Sequence, residues 1–542
     1  MLDTTHHGRR PITRFMLAVS YAGDGDGFAN LARRYGLPLE TMVFEPVNGY
    51  VYARPKAVGE PDEPGSPPPR PVLWLLSRLH PELRRRNKAA RRAWSGRIWR
   101  DEVDDWFDRG GRAEVVAANL QRFDVTGADD TLLAAHVEEL AAHLAEQFVA
   151  GFETHGGDII PCGDFLAHCA AWGVAAADAT ALLAGASPLT RETRDLLEPA
   201  ARAVAAARAS GVAPASVDEV RGLGPDVAQA VDRWLELHGW RLLNSDDVDC
   251  PTLIEKPELQ LRVLLNLDGG APSPVPDPTP VRQRIAAEHR EAFDRLLAEA
   301  RYGLRLRDDN VGVRLNWPAG LARRALLEAG RRLARRGAMV DAVHAVHAAP
   351  AELASLLRGR GGPSAAELTD RHAEREWQLG LEAPAHIGPE EEPPPLDVFP
   401  APMARATAAV LALIDAMEGA GDQGSASPTD GALTGTGVGD TTYTGRACVL
   451  AGPEDDFGRL EPGDVLIAPF TSPSFNSLFP LLGAVAVAEG GVMSHTAIIS
   501  REFDIPAVVG VGGLLDAVRH GDRVQVDPVA GTVRVLDAAP DG

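Results

Sequence analysis

The sequence predicts a multidomain protein: a mainly α-helical region with a small β component, followed by a compact β/α domain. Three observations carry this. Apolar residues recur at three- and four-residue spacing from about 73 to 240 and again from 281 to 337, the period of a one-sided helix. Residues 387–440 break that pattern with acidic, Pro-rich and then Gly/Ser/Thr-rich composition. Beyond 441, short β-branched runs alternate with turn residues. The divisions this gives are 1–60, 61–386, 387–440 and 441–538.

Taken in order, Tyr35-Gly36-Leu37-Pro38-Leu39 reads as a helix end and a turn. Val47-Asn48-Gly49-Tyr50-Val51-Tyr52 reads as a turn leading into a strand. Six prolines among Glu60–Pro71 make that stretch a loop. Leu132, Leu133, His136, Leu140, Leu144 and Phe148 share a helix face, as do Ile285, Phe293, Leu296, Leu297 and Ala300. Between these stretches, Asp268–Pro280 is a Gly/Pro-rich break. Leu321, Leu326, Leu327 and Leu333 mark a further helix, closed by Gly337. A short helix covers Met403–Met417, and Gly419–Gly439 has the composition of a flexible tether or an ordinary interdomain linker. The last region holds six candidate strands: Arg446–Ala451, Asp464–Ala468, Val485–Val487, Ala507–Val509, Arg523–Val526 and Val533–Leu536. Asp527-Pro528 to Gly531 reads as a hairpin loop.

Composition narrows the class. A formal net charge of −22 argues against a general nucleic-acid or membrane-surface binder, so neither is expected as a partner. Four cysteines (Cys162, Cys169, Cys250, Cys448) have neither metal spacing nor a disulfide pattern, which suits a cytoplasmic protein. No apolar run reaches membrane-spanning length, and the N-terminus shows no secretory signal.

The chemistry concentrates at Glu489-Gly490-Gly491-Val492-Met493-Ser494-His495-Thr496. Ser494 reads as a helix N-cap with His495 in the first turn, where free backbone N–H groups and the positive dipole end favour a phosphate. Gly490 and Gly491 leave room for the close approach of another domain or substrate. A neutral imidazole there can accept and pass on a phosphoryl group. A histidine in a first turn is, by itself, as well suited to capping or packing.

The residues Gly490, Gly491, Ser494, His495, Ala497, Ile498, Arg501, Glu502 and Ile505-Pro506-Ala507-Val508-Val509-Gly510 form a longer pattern. With Gly445-Arg446-Ala447, Pro462-Gly463-Asp464-Val465-Leu466, Thr471, Pro473, Leu478 and Phe479, it resembles the phosphohistidine (swivelling) domain of the phosphoenolpyruvate-utilising enzymes. That family includes phosphoenolpyruvate synthase, pyruvate phosphate dikinase and rifampicin phosphotransferase. Three positions depart from its pattern. Ala488 stands where an acidic residue is usual, Met493 where some dikinases have threonine, and Gly439-Asp440-Thr441 replaces an entry Ser-Pro-Gly. More weakly, Arg10-Pro11-Ile12-Thr13, Val47-Asn48-Gly49, Leu237-His238-Gly239-Trp240-Arg241 and the Arg282–Gly337 stretch resemble the junction and helical substrate-binding region of rifampicin phosphotransferase-like proteins.

The resemblance implies that His495 is the phosphoryl acceptor and donor, with Gly490, Gly491, Ser494, Thr496 and Arg501 as candidates for holding the phosphate. For Arg501 a surface ion pair is the competing reading, since it lies off the face of His495. It further implies a helical substrate-binding region and a swivelling carrier. Neither an ATP-grasp domain nor a (β/α)8 barrel is evident, as in the larger subunit of phenylphosphate synthase. The expected partners are therefore a separate ATP-grasp protein, bringing Mg-ATP, and a small-molecule hydroxyl substrate. No cofactor and no metal site are expected on this chain. The alternative is a non-catalytic binding or regulatory protein that keeps the fold.

Two other constellations stand apart. His344 and His347 are spaced as a possible metal pair but have no evident third ligand, and their segment reads equally as a strand or buried helix. The basic stretch Arg84–Arg100, with Trp94 and Trp99, reads as a solvated or self-paired helix face or as a dock for an acidic partner. The tryptophans, Trp74 among them, read as core or as the lining of a pocket for a bulky substrate.

Overall fold

The computed structural model describes residues 10–61, 68–109, 111–186, 189–243, 247–267, 275–388, 393, 395–419, 432–451, 457–471, 475–476 and 478–539. The chain divides into two compact units. One takes in Met1–Ile160, Ser245–Cys250 and Asp309–Ala408; the other Pro161–Asn244, Pro251–Asp308 and Ala409–Gly542. The division is interleaved along the chain, unlike the linear partition read from composition. The helical region expected over 61–386 contributes to both units.

The first unit is built on helices with one hairpin. Thr13 caps the helix Arg14–Tyr35 by accepting from Met16 N, and Gly36 ends it in the left-handed conformation (φ 74°). Strands β1 (Leu39–Val47) and β2 (Tyr50–Ala57) pair antiparallel across Asn48-Gly49, both with positive φ (49° and 78°). Positive φ at both positions is the requirement of a tight hairpin turn, and Asn-Gly meets it with least strain. The sequence reading found the turn and the second strand but not β1. Ile12, Phe44, Val51 and Phe152 bury one face of the hairpin.

A buried charge cluster ties the start of this unit to its later segments. Thr13 donates to Asp247 through both its backbone N and Oγ1, each at 2.6 Å. Arg375 donates to Asp249 at 2.6 Å, and Arg10 lies 3.4 Å from the same carboxylate. Burial and the neighbouring Asp249 charge push the Asp247 carboxyl up. Burial would raise Asp249 too, but Arg375 and Arg10 outweigh it and hold that group below the usual range. Arg10 and Thr13 of the Arg-Pro-Ile-Thr run are thus structural anchors.

The second unit combines helices with an eight-stranded sheet. Its strands are β3 (Leu433–Thr434), β4 (Thr436–Val438), β5 (Tyr443–Val449), β6 (Asp464–Ala468), β7 (Leu482–Val487), β8 (Ala507–Val509), β9 (Arg523–Asp527) and β10 (Thr532–Asp537). The spatial order is β3-β10-β9-β5-β6-β7-β8-β4. Pairs β5–β6, β6–β7 and β7–β8 are parallel; the remainder are antiparallel. Every residue of β6 is buried, the continuous apolar run expected of a strand covered on both faces. Its one charge, Asp464, receives two bonds from Arg446 at 2.9 and 2.7 Å. Ala447, Val465, Ile467, Ala484, Ala486, Val508, Val524 and Val533 pack into the sheet's core.

All six strands read from the sequence are present, with some ends displaced. Two more, β3 and β4, come from residues placed in the tether, so the sheet begins at Leu433. They occupy opposite margins of the sheet yet are separated only by Gly435, so the sheet curls until its margins meet. The rest of the tether, residues 420–431, lies outside the described residues, as do His6, His7, residues 389–392 and 394 of the acidic connection and most of the Gly/Pro break.

Trp74 corrects the core reading of the tryptophans: it is 48% exposed, beside exposed Leu75 and Leu79. Trp99, Trp106 and Trp234 are buried. In the basic stretch, Arg86 is buried and paired with Glu82 at 2.8 Å, and Arg405 lies over the Trp94 ring. Arg84, Arg85, Lys88, Arg91, Arg92 and Arg97 are exposed, as in a solvated helix face. All four cysteines are free and buried. Among the described residues, no helix is long and apolar enough to cross a membrane.

Candidate functional site

Strand β7 leads through Ala488–Met493 into the helix His495–Phe503, which returns through β8. Strand, helix and parallel strand place the helix start beyond the carboxyl ends of the strands, where open α/β sheets bind ligands. Ser494 is the N-cap, its Oγ accepting from Ala497 N at 3.4 Å. His495 is the first helical residue and is half-buried, rather than at an exposed edge.

Both ring nitrogens of His495 have a partner. Nδ1 lies 2.9 Å from Thr471 Oγ1, and Nε2 lies 2.8 Å from Asn476 Oδ1. Thr471 follows β6, the neighbouring parallel strand, so adjacent strand ends supply the imidazole and the hydroxyl that orients it. Phe479 stands edge-on to the ring, with centroids 6.2 Å apart. Burial, and secondly the positive charge of Arg307, lower the His495 pKa to about 3. The ring is consequently neutral at physiological pH, the state with a nitrogen lone pair to offer.

The amide nitrogen of Asn476 is buried with no partner. A half-turn of that amide presents its N–H to Nε2 while Nδ1–H donates to Thr471 Oγ1. In this arrangement the orphaned donor is satisfied and Nε2 carries the lone pair.

The other expected site residues fall differently. Thr496 is one position on, roughly 100° around the helix. It is 1% exposed, with its hydroxyl 2.8 Å from Thr471 Oγ1, so it supports Thr471 instead of facing a phosphate. Among the described residues Arg501 makes no surface ion pair: Nη1 donates to the Val492 carbonyl at 2.7 Å, and burial lowers its pKa to about 10. It lines a small cavity of about 10 Å³ with Thr180, Leu183, Leu304, Met493 and Ile498. Its bond to the Val492 carbonyl ties Arg501 to the loop before His495.

The paired glycines also serve the fold. Gly490 has φ 100°, open to glycine at little cost, and a Cβ there would meet Ser494 Cβ at 2.8 Å. A Cβ on Gly491 would meet Gly419 N at 2.5 Å and Ala416 O at 2.6 Å. The space expected to admit an incoming group is filled by the end of the helix Ala401–Glu418. Gly491 N donates to Met417 O at 2.6 Å and Met493 N to Ala416 O at 2.7 Å, which satisfies two terminal carbonyls of that helix.

Thr471, Asn476 and Arg307 are site residues to which sequence reading gave no role. Thr471 stood within the quoted pattern; Asn476 carried no signal of its own. Arg307 lay in an arginine-rich helical stretch more than a hundred residues earlier, which only tertiary structure brings near His495.

The His344–His347 pair gains a companion in the first unit. His347 Nε2 lies 3.0 Å from His372 Nδ1, on a buried 3-10 helix where the sequence allowed a strand or a helix. Burial first, then Arg375, lowers the His347 pKa to about 3. Among the described residues, no group of three or more His, Cys, Asp or Glu is arranged to hold a metal.

Residues 460–531 match the family model described as "PEP-utilising enzyme, mobile domain". The rifampicin phosphotransferase of Streptomyces sviceus is 39% identical over 107 residues, 20% of this chain and 12% of that protein. That of Bacillus subtilis is 37% identical over 106 residues, with the same coverage. An uncharacterised protein of Mycobacterium tuberculosis is 28% identical over 337 residues, 60% of this chain and 33% of that protein. The chain thus spans an eighth to a third of the length of these relatives. His495, Thr471 and Asn476, with strands β6 to β9, lie within the matched residues, so the chain carries the mobile domain of the phosphoenolpyruvate-utilising enzymes and resembles rifampicin phosphotransferase there.

Proposed function

We propose that the chain is a phosphotransferase component that carries a phosphoryl group on His495 to a hydroxylated small-molecule acceptor. The observation that carries the reading is the neutral imidazole held between Thr471 and Asn476 at the start of a helix. In the first step the Nε2 lone pair forms a bond to phosphorus as the donor's bridging P–O bond breaks. In the second, the acceptor oxygen takes the phosphoryl group, the N–P bond breaks, and the hydroxyl proton is lost. Such transfers depend on in-line placement and charge stabilisation. Thr471 contributes by fixing the ring, its Oγ1 accepting the hydrogen bond from Nδ1–H.

A separate ATP-grasp protein bringing Mg-ATP is the donor in this proposal, with this chain supplying no ligand to the nucleotide's metal. The resemblance to rifampicin phosphotransferase in the matched domain supports the reaction class. The test is incubation with radiolabelled ATP and a candidate ATP-grasp protein. Acid-labile, alkali-stable label is expected on the chain and absent from His495→Gln. Label that survives in His495→Gln would refute the assignment.

A further inference from the structure

The amide of Asn476 meets the ring nitrogen that would carry the phosphoryl group, at 2.8 Å from His495 Nε2. It belongs to the connection between β6 and β7, and Thr471, earlier in that connection, holds the opposite nitrogen, Nδ1, at 2.9 Å. Thr471 Oγ1 also lies 2.8 Å from Thr496 Oγ1. One proton order suits this chain of groups: Nδ1–H donates to Thr471, whose own hydroxyl donates on to Thr496. Nε2 is then a bare acceptor, and the amide atom facing it is the nitrogen.

The position of that amide is chemical as well as structural. An imidazole nitrogen has a single in-plane lone pair, and Asn476 lies where the lone pair of Nε2 is offered. A phosphorus that bonds to Nε2 enters along the same direction, so the amide gives up Nε2 as the N–P bond forms. As placed, the amide nitrogen is buried and has no partner among the described residues. Turned to face Nε2, it donates to the lone pair that the N–P bond consumes, and is then released. A buried N–H without an acceptor is costly, and the phosphoryl oxygens supply a replacement. The exchange is favourable in charge, because a hydrogen bond to an anionic oxygen is stronger than one to a neutral acceptor.

We infer that Asn476 is a catalytic residue whose amide N–H passes from His495 Nε2 to a phosphoryl oxygen as the N–P bond forms, and returns when the group leaves. The inference rests on the phosphohistidine reading above and supplies the phosphate contact that sequence reasoning sought in Thr496 and Arg501. In the resting chain the amide orients Nε2. In the charged chain it stabilises the oxygens over which the transition-state charge is spread.

Potassium phosphoramidate charges the ring without any partner. Its zwitterion, an ammonium on a phosphoryl group, loses ammonia as the P–N bond breaks; Nε2 takes the phosphorus and Nδ1 keeps its proton. The full chain is treated with this reagent as wild type, His495→Gln, Asn476→Ala, Asn476→Asp and Asn476→Gln, with folding checked by circular dichroism. Phosphorus NMR then reads the rate of appearance and the pH titration of the attached phosphoryl group. Wild type is expected to give a resonance that His495→Gln lacks. Asn476→Ala is expected to lower its initial rate of formation about ten- to a hundredfold. Asn476→Asp keeps the shape but brings a charge that cannot donate, and should lower the rate further. Both should raise the phosphoryl group's second pKa, the aspartate more, an effect that a purely structural role would not produce; Asn476→Gln should restore part of each. No such resonance in wild type would defeat the phosphohistidine reading itself. A normal resonance with unchanged rate and titration in folded Asn476→Ala and Asn476→Asp would defeat only the role of Asn476.

Discussion

Replacing Gly491 with alanine tests whether this glycine is kept for an incoming group or for the chain's own helix end. The new Cβ would lie 2.5 Å from Gly419 N, 2.6 Å from Ala416 O and 2.8 Å from Gly419 Cα, all backbone atoms that no rotamer change can move. Overpacking of this kind costs about 1–3 kcal/mol. Relief requires the loop to lift from the helix end, which breaks the bonds from Gly491 N and Met493 N at about 1 kcal/mol each. The sum is about 3–5 kcal/mol, or roughly 10 °C in the melting temperature of the second unit. Gly513→Ala is the control: its φ is 70° but a Cβ meets nothing within 4 Å, so only about 1 kcal/mol of left-handed strain is expected. Differential scanning calorimetry of both variants provides the comparison. If Gly491→Ala melts no lower than Gly513→Ala, the packing account of the glycine pair is wrong.

Three further outcomes are expected. In a nitrogen-15 histidine NMR titration, the resonance missing from His495→Gln should show no protonation midpoint above pH 5; a midpoint near 6.5 would contradict the lowering by burial and by the charge of Arg307. His347 is held neutral in the folded state with a pKa of about 3, below the roughly 6.5 of an unfolded histidine. Between those values the unfolded chain binds more protons, so stability falls as pH drops from 6.5 toward 3, by about 1.4 kcal/mol per pH unit. Urea unfolding at a series of pH values should show a shallower slope for His347→Gln. Finally, Arg375→Met leaves Asp247 and Asp249 buried without their shared cation and should cost about 3–5 kcal/mol in urea unfolding of the first unit; a loss under 1 kcal/mol would count against the cluster.

What the sequence disclosed follows the range over which each signal acts. The Ser494 cap, the His495 position and the Asn48-Gly49 hairpin are set by neighbours a few residues away, and the structure has all three. The long helices were visible because their apolar period is local too, although Leu132, counted on the inner face, is 54% exposed. Strands β3 and β4 were hidden because Gly and Thr dominate them; their partners are β10 and β8, some seventy to a hundred residues later. Thr471 and Asn476 reach His495 only because β6 and β7 run side by side. His372 joins His347 across a separation of 25 residues, with no periodicity to announce it. Thr496 and Arg501 show the opposite failure. Nearness in sequence suggested a shared task, but helical rotation and a nearby carbonyl gave them others.

The single residue between β3 and β4 makes the sheet behave like a hoop fastened at one rivet. Adding one residue at Gly435 would demand that one seam slip, and a slip by one turns every side chain on that strand to the opposite side. Insertions should therefore be tolerated in the β9–β10 turn, where Val529 is 75% exposed, far better than at Gly435. A fused reporter belongs at exposed Val529, clear of Gly531, whose carbonyl accepts from Gly435 N at 2.9 Å and is part of the fastening.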